Sequence, residues 1–87
     1  MHNMEQLMHS AIDQTFDFIE FIKDYEAKAF ADAEINTVEN VVKLKMLIEK
    51  KDQKVLVTEY FLRHEKDLPN FVLYLNTLKQ YFGKKIH

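Results

Sequence analysis

Ser10, the only serine in the chain, and its neighbour His9 are residue types from which a nucleophile and its base could be built. On a helix, consecutive side chains project about 100° apart, so these two cannot pair side by side. Asp13 lies four positions after His9 and could orient its imidazole, but that arrangement has no nucleophile. We therefore expect His9 and Asp13 to be an ordinary surface pair rather than half of a metal site or a catalytic set.

His64 and Glu65 begin like the zinc-protease motif His-Glu-x-x-His, but Leu68 stands where the second histidine is required. The four histidines have no mutual spacing that presents two ligands on one helical face. The chain has no cysteine and a single glycine, which excludes thiolate chemistry, cysteine-based zinc sites and glycine-rich phosphate loops. We expect no enzyme, no bound metal and no cofactor.

An acidic row on the predicted first helix is the most specific surface feature. Its members step by i, i+4, i+7 and i+11, which places them on one helical face: Asp13, Asp17, Glu20 and Asp24. Phe21 projects away from the apolar side of the same helix, and Leu47 and Leu73 lie similarly off their own apolar stripes. Aromatic residues rimmed by charge are typical of partner-binding surfaces, so we predict that Phe21 and the acidic row bind a protein. The alternative is a solvated helix face.

The net charge is −2, but acidic and basic residues are unevenly distributed between the two halves of the chain. Residues 1–40 carry nine acids and two bases, and residues 41–87 carry ten bases and five acids. Five of the bases concentrate in the middle of the chain, and they are an alternative, nucleic-acid-binding site: Lys43, Lys45, Lys50, Lys51 and Lys54. Two observations argue against nucleic-acid binding. Glu49 and Asp52 interrupt the lysines, and the chain has a single arginine, the residue that forms bidentate hydrogen bonds with phosphate.

Long stretches without a helix breaker favour helices. Apolar residues recur at helical spacing from Met4 to Ala33, which predicts a long first helix. Asn36 and Glu39 have capping-box spacing and predict a second helix that runs to about Lys50, with a break near residues 51–53 and a further helix over 54–66. A last helix is expected between Asp67-Leu68-Pro69 and Gly83, with an apolar stripe at Phe71, Tyr74, Leu75, Leu78, Tyr81 and Phe82.

A hairpin competes with the helices in the middle of the chain. Val42, Leu44, Met46 and Ile48 alternate with polar residues, as in a half-buried strand, and residues 55–57 are rich in valine. The linker between these segments has no glycine or asparagine to supply positive φ, which weakens the hairpin. We therefore predict an all-α fold, a small three- or four-helix bundle with a long N-terminal helix, with an α+β fold carrying a central hairpin over 41–62 as the alternative.

Length and composition place the whole chain, residues 1–87, in a single helical domain. The residues are 47% apolar and 30% charged, the start of the chain lacks signal-peptide character, and no apolar run approaches membrane-spanning length. We expect a cytoplasmic protein without membrane contact, whose composition fits an A/T-rich genome such as that of a low-GC bacterium or its phage. The predicted function is a non-enzymatic regulator, inhibitor or immunity-type factor that binds a partner through helix 1, or itself as a homodimer. A structural or assembly subunit is a further alternative.

Overall fold

The computed structural model describes residues 3–83, which form two helices and one three-stranded sheet. In chain order the elements are α1 (Met4–Lys23), β1 (Ala27–Asn36), β2 (Val41–Lys50), β3 (Gln53–Leu62), a short 3-10 turn (Glu65–Asp67) and α2 (Leu68–Phe82). The strands follow one another across the sheet in the order β1-β2-β3, and both pairings are antiparallel. The fold is α+β, so the predicted helical bundle is wrong.

The first error lies in residues 24–36, where the prediction continued the first helix to Ala33 and began a second helix at Asn36. α1 ends at Lys23, and Glu26 turns the chain with φ of 62° before β1 begins. Within β1, alanines alternate with larger or charged residues at a period of two, which is the repeat of a strand. Alanine is a strong helix former, and its intrinsic preference concealed that alternation.

The second error lies in residues 41–62, where the structure has the hairpin that was the alternative prediction. Its two-residue turn is Lys51-Asp52, and both residues have positive φ, 54° and 63°. Two positive φ values are the pattern of a type I′ turn, whose twist matches that of the strands it joins. Because neither residue is glycine or asparagine, this turn has little signature in the sequence.

Asn36 shows the predicted capping chemistry in a different element. Its Oδ1 accepts hydrogen bonds from the backbone N–H groups of Val38 and Glu39, each at 3.0 Å. Instead of starting a helix, these bonds close the four-residue loop between β1 and β2. Asparagine side chains stabilise turns and helix starts by the same local bond, so the spacing alone does not distinguish them.

Both helices pack on one face of the sheet, and this covered face holds the core. β2 contributes Val42, Leu44, Met46 and Ile48 to it, and all four are buried. α1 buries a stripe that includes Phe18 and Ile22. On the β3 side, the rings of Tyr60 and Phe71 lie 4.9 Å apart, and the hydroxyls of Thr58 and Tyr74 share a hydrogen bond of 2.6 Å.

The final helix is confirmed. Pro69 lies in its first turn, as the sequence predicts, and the helix ends at Phe82, next to the predicted stop at Gly83, which is the C-cap. Four members of the predicted stripe are buried: Phe71, Leu75, Leu78 and Phe82. Tyr74 is half-buried, whereas Tyr81, the remaining member, is 72% exposed. Neither helix of the described chain combines the length and the apolar character needed to cross a bilayer.

Candidate protein-binding surface

The second face of the sheet points away from both helices, and we call it the open face. Antiparallel pairing brings side chains from the three strands into rows across it, because directly opposed residues project to the same side. Its apolar residues are Phe30 on β1, Leu47 on β2, and Val55, Val57 and Phe61 on β3. Four of the five are exposed large hydrophobic side chains, and Leu47 is half-buried.

An apolar row runs across the middle of the open face. Leu47 pairs with Phe30 on one side and with Val57 on the other, so the three side chains adjoin. Phe30 is 55% exposed and Val57 is 59% exposed, although both lie in the centre of regular strands. Scattered apolar residues are normal on a surface, but an adjoining row of this kind is typical of a contact surface.

A charged row lies on each side of the apolar row. The first charged row reads Lys28, Glu49, Lys54 from β1 to β3, and the second charged row reads Asp32, Lys45, Glu59. Neighbours within a row form ion pairs: the Lys28 ammonium lies 3.9 Å from a Glu49 oxygen, and that of Lys45 lies 3.8 Å from a Glu59 oxygen. The signs are therefore plus, minus, plus in the first row and minus, plus, minus in the second.

The two ends of the open face are less regular. At one end, a β-bulge next to Glu49 places Val55 as an extra residue of β3 beside the first charged row. At the other end, Lys43 pairs with Phe61 and also approaches Glu59, at 4.0 Å. The central three rows are thus the ordered part of this surface, with apolar side chains enclosed by alternating charge.

The predicted acidic row lies elsewhere, in the helix layer. Asp13, Asp17, Glu20 and Asp24 are all exposed on or just after α1, and the sheet separates them from the open face. Glu20 is engaged in an ion pair with Lys23, at 2.8 Å. The structure thus displays the acidic row to solvent, and it does not bring that row together with the apolar surface.

Phe21 packs largely within the molecule. Its ring centroid lies 5.4 Å from that of Tyr25, and the ammonium of Lys79 on α2 lies 5.3 Å from its ring centre. A Cβ added at Gly83 would lie 3.0 Å from the ring, so Phe21 also touches the C-terminal end of α2. At 37% exposure, it offers less free apolar surface than Phe30 or Val57.

The five lysines of the alternative site are spread over two regions. Lys43 and Lys45 lie on the open face with Glu59 between them, whereas the other three cluster around the β2–β3 turn. Of those, Lys50 directs its ammonium to the backbone carbonyl of Phe82, at 3.4 Å. A phosphate backbone crossing this surface would meet carboxylates as well as ammonium groups.

The residues first considered for catalysis line an open groove of about 720 Å³ between the N-terminal ends of the two helices. His9, Ser10 and Asp13 lie on its α1 side, and Glu65 lies opposite. Nearby, the Asp67 carboxylate accepts backbone hydrogen bonds from Arg63, at 2.7 Å, and His64, at 3.0 Å, which hold the pKa of Asp67 below its usual value. Within residues 3–83, no group of three or more His, Cys, Asp or Glu side chains is placed to hold a metal ion.

Comparisons with models of protein families, with curated proteins and with solved structures gave no significant match. The surfaces themselves are therefore the basis for a functional proposal. Among the apolar residues of the open face, Leu47 is the one that the sequence places off its predicted helical stripe. Read at a period of two, the same sequence would have placed Phe30 and Val57 on the outer faces of their strands.

Proposed function

We propose that this chain is a non-enzymatic protein-interaction module whose open face binds another folded protein surface. The observation that carries the proposal is the apolar row of Phe30, Leu47 and Val57, exposed between two rows of alternating charge. Burying exposed apolar area supplies affinity, and the surrounding charges select the partner and its orientation. The arrangement has the apolar centre and polar rim that protein interfaces share.

The open face supports this function better than the acidic row of helix 1 does. Phe30 and Val57, which adjoin Leu47 on either side, are 55% and 59% exposed, so a partner can remove a contiguous apolar area from water. Full burial of a large apolar side chain is worth about 1.5–3 kcal/mol, so each half-exposed member offers roughly half of that. The acidic row has two aromatic neighbours on α1: Phe21, whose ring already packs against α2, and Phe16, which is 59% exposed. Binding through helix 1 stays a prediction, as do the regulatory, inhibitory or immunity-type role and the cytoplasmic location.

Nucleic-acid binding is less well supported by the same surface. A polyanion gains affinity from a continuous basic patch, whereas Lys28, Lys45 and Lys54 alternate with Glu49 and Glu59. An apolar centre would also contribute little against a phosphate backbone. A role as a structural or assembly subunit uses the same kind of contact and would be one form of the proposed function.

A matched pair of variants tests the proposal. Val57→Lys places a charge in the apolar row, and Val38→Lys makes the same change at a loop residue that is 93% exposed and lies off the sheet. Proteins captured from a lysate of the source organism by the wild type and by each variant are identified by mass spectrometry. The captured protein is then purified and titrated calorimetrically.

We expect Val57→Lys to weaken binding of the purified partner by at least about tenfold, because a lysine buried in an apolar contact must be desolvated. Val38→Lys should bind like the wild type. Thermal melts of both variants control for loss of folding. Equal binding by the wild type and a folded Val57→Lys protein would refute the open face as the binding surface.

A further inference from the structure

We infer that the open face binds a second copy of this chain, related by a two-fold axis that crosses the strands along the apolar row. This inference rests on the proposed function and names its partner. It follows from the order of charges in the two charged rows, which have opposite signs at every one of the three strand positions. A surface with that property is complementary to itself in one orientation.

A 180° rotation about this axis places the open face of the second copy against the open face of the first. Each strand of one copy then lies over the same strand of the other, running in the opposite direction. The apolar row faces the apolar row of the second copy, and the first charged row of each copy faces the second charged row of the other. The resulting contacts are Lys28 with Asp32, Glu49 with Lys45, and Lys54 with Glu59, each formed twice in the dimer.

The other face-to-face orientation is disfavoured by the same charges. A two-fold axis parallel to β2 would lay β1 of one copy over β3 of the other. Lys28 would then meet Lys54, Asp32 would meet Glu59, and Lys45 would meet itself. Like charges brought together in an interface repel one another, so the charge order selects the first orientation.

The geometry of sheet packing accommodates this dimer. Two sheets packed face to face lie about 10 Å apart, with their strands aligned to within about 30°. Three strands of ten residues present a flat area of about 500 Å² per copy, hence about 1,000 Å² for the pair. That area is at the lower limit for a specific interface, and we therefore expect a dimer that dissociates in the micromolar range.

The first experiment measures mass against concentration by sedimentation equilibrium. The wild type and Val38→Lys should both change from monomer to dimer over the micromolar range, and folded Val57→Lys should stay monomeric. A wild type that is monomeric up to millimolar concentration overturns the inference. The proposed function would still hold if binding of a captured partner is weakened by Val57→Lys. Failure of the dimer and failure of the proposed function therefore give different results.

The second experiment tests the orientation by exchanging charges between the rows. Lys45→Glu sets a new carboxylate against Glu49 of the second copy, and Glu49→Lys sets a new ammonium against Lys45. Each variant alone should dimerise at least about tenfold more weakly than the wild type. Mixed in equal amounts, the two variants should form a heterodimer, because both contacts then join opposite charges.

The mixture also controls for folding, since a misfolded variant could not restore association. Three outcomes would overturn the inference. They are variants that dimerise as well as the wild type, a mixture no tighter than its components, and a Val57→Lys protein that still dimerises. The last outcome would indicate pairing through the free edge of β1 or β3 instead.

Discussion

Alternate residues of the ten-residue strand β2 form two faces of different composition. Residues 42, 44, 46 and 48 are fully apolar and buried beneath the helices. On the other side, residues 43, 45, 47 and 49 keep contact with solvent and include three charges. The covered face has the composition of a core, whereas the open face mixes charged and apolar side chains. The difference indicates that one side of the strand maintains the fold, and it supports the proposal that the other side binds a partner.

The sharpest test of this comparison uses one leucine from each face. Leu44→Ala removes a buried side chain, and we expect it to lower the free energy of unfolding by about 2–5 kcal/mol. Leu47→Ala, three residues away on the open face, should cost under about 1 kcal/mol in the monomer. Urea unfolding at low protein concentration measures both. Equal losses would mean that the open face contributes to the core of the monomer.

A smaller loss of stability is expected from a substitution at Gly83, where the end of α2 packs against Phe21 of α1. A Cβ at Gly83 would lie 2.7 Å from the Lys79 carbonyl oxygen and 3.0 Å from the Phe21 ring. Gly83→Ala must therefore shift the end of α2 or the ring, and we expect a loss of about 1–2 kcal/mol. Thermal unfolding measures it, and stability equal to that of the wild type would show that this end of the helix layer is loosely packed.

The β2–β3 turn offers a gain in stability. Lys51 has φ of 54°, a conformation that costs a residue with a side chain roughly 1 kcal/mol and costs glycine little. After the entropy that glycine loses on folding, Lys51→Gly should stabilise the protein by about 0.5 kcal/mol. The turn fixes the pairing that assigns each residue to its face, so the gain should come without a change in the open face. Destabilisation in urea titrations would contradict the turn geometry.

The smallest expected effect depends on pH. Backbone hydrogen bonds from Arg63 and then His64 lower the pKa of Asp67 in the folded chain from its ordinary value of 3.8. The carboxylate therefore adds stability above that pH and loses it as pH falls through the folded pKa. Asp67→Asn keeps the acceptor oxygen without the charge, so its unfolding free energy should fall less steeply below pH 3.8. If the unfolding free energies of the wild type and Asp67→Asn fall equally steeply with decreasing pH, Asp67 does not make this contribution.

The elements that the sequence predicts correctly are those whose signals are local and strong. Pro69 and Gly83 mark the ends of α2 correctly because each acts on the backbone at its own position. β1 was missed because alanine fits a helix intrinsically, and only packing against α1 makes its alternation decisive. The open face could not be found before the strands were recognised. Its rows exist only through the pairing of Phe30 with Leu47 and of Leu47 with Val57, which lie on three different strands.

The order of the strands also has a kinetic consequence. Each strand pairs with its neighbour in sequence, through loops of four and two residues, so the sheet can assemble from two successive hairpins. The contacts between α1 and α2 join residues far apart in sequence, so they close a much longer loop of chain than either hairpin does. Most of the sheet is therefore built from local pairings, which carry the lowest entropic cost of formation and favour fast folding.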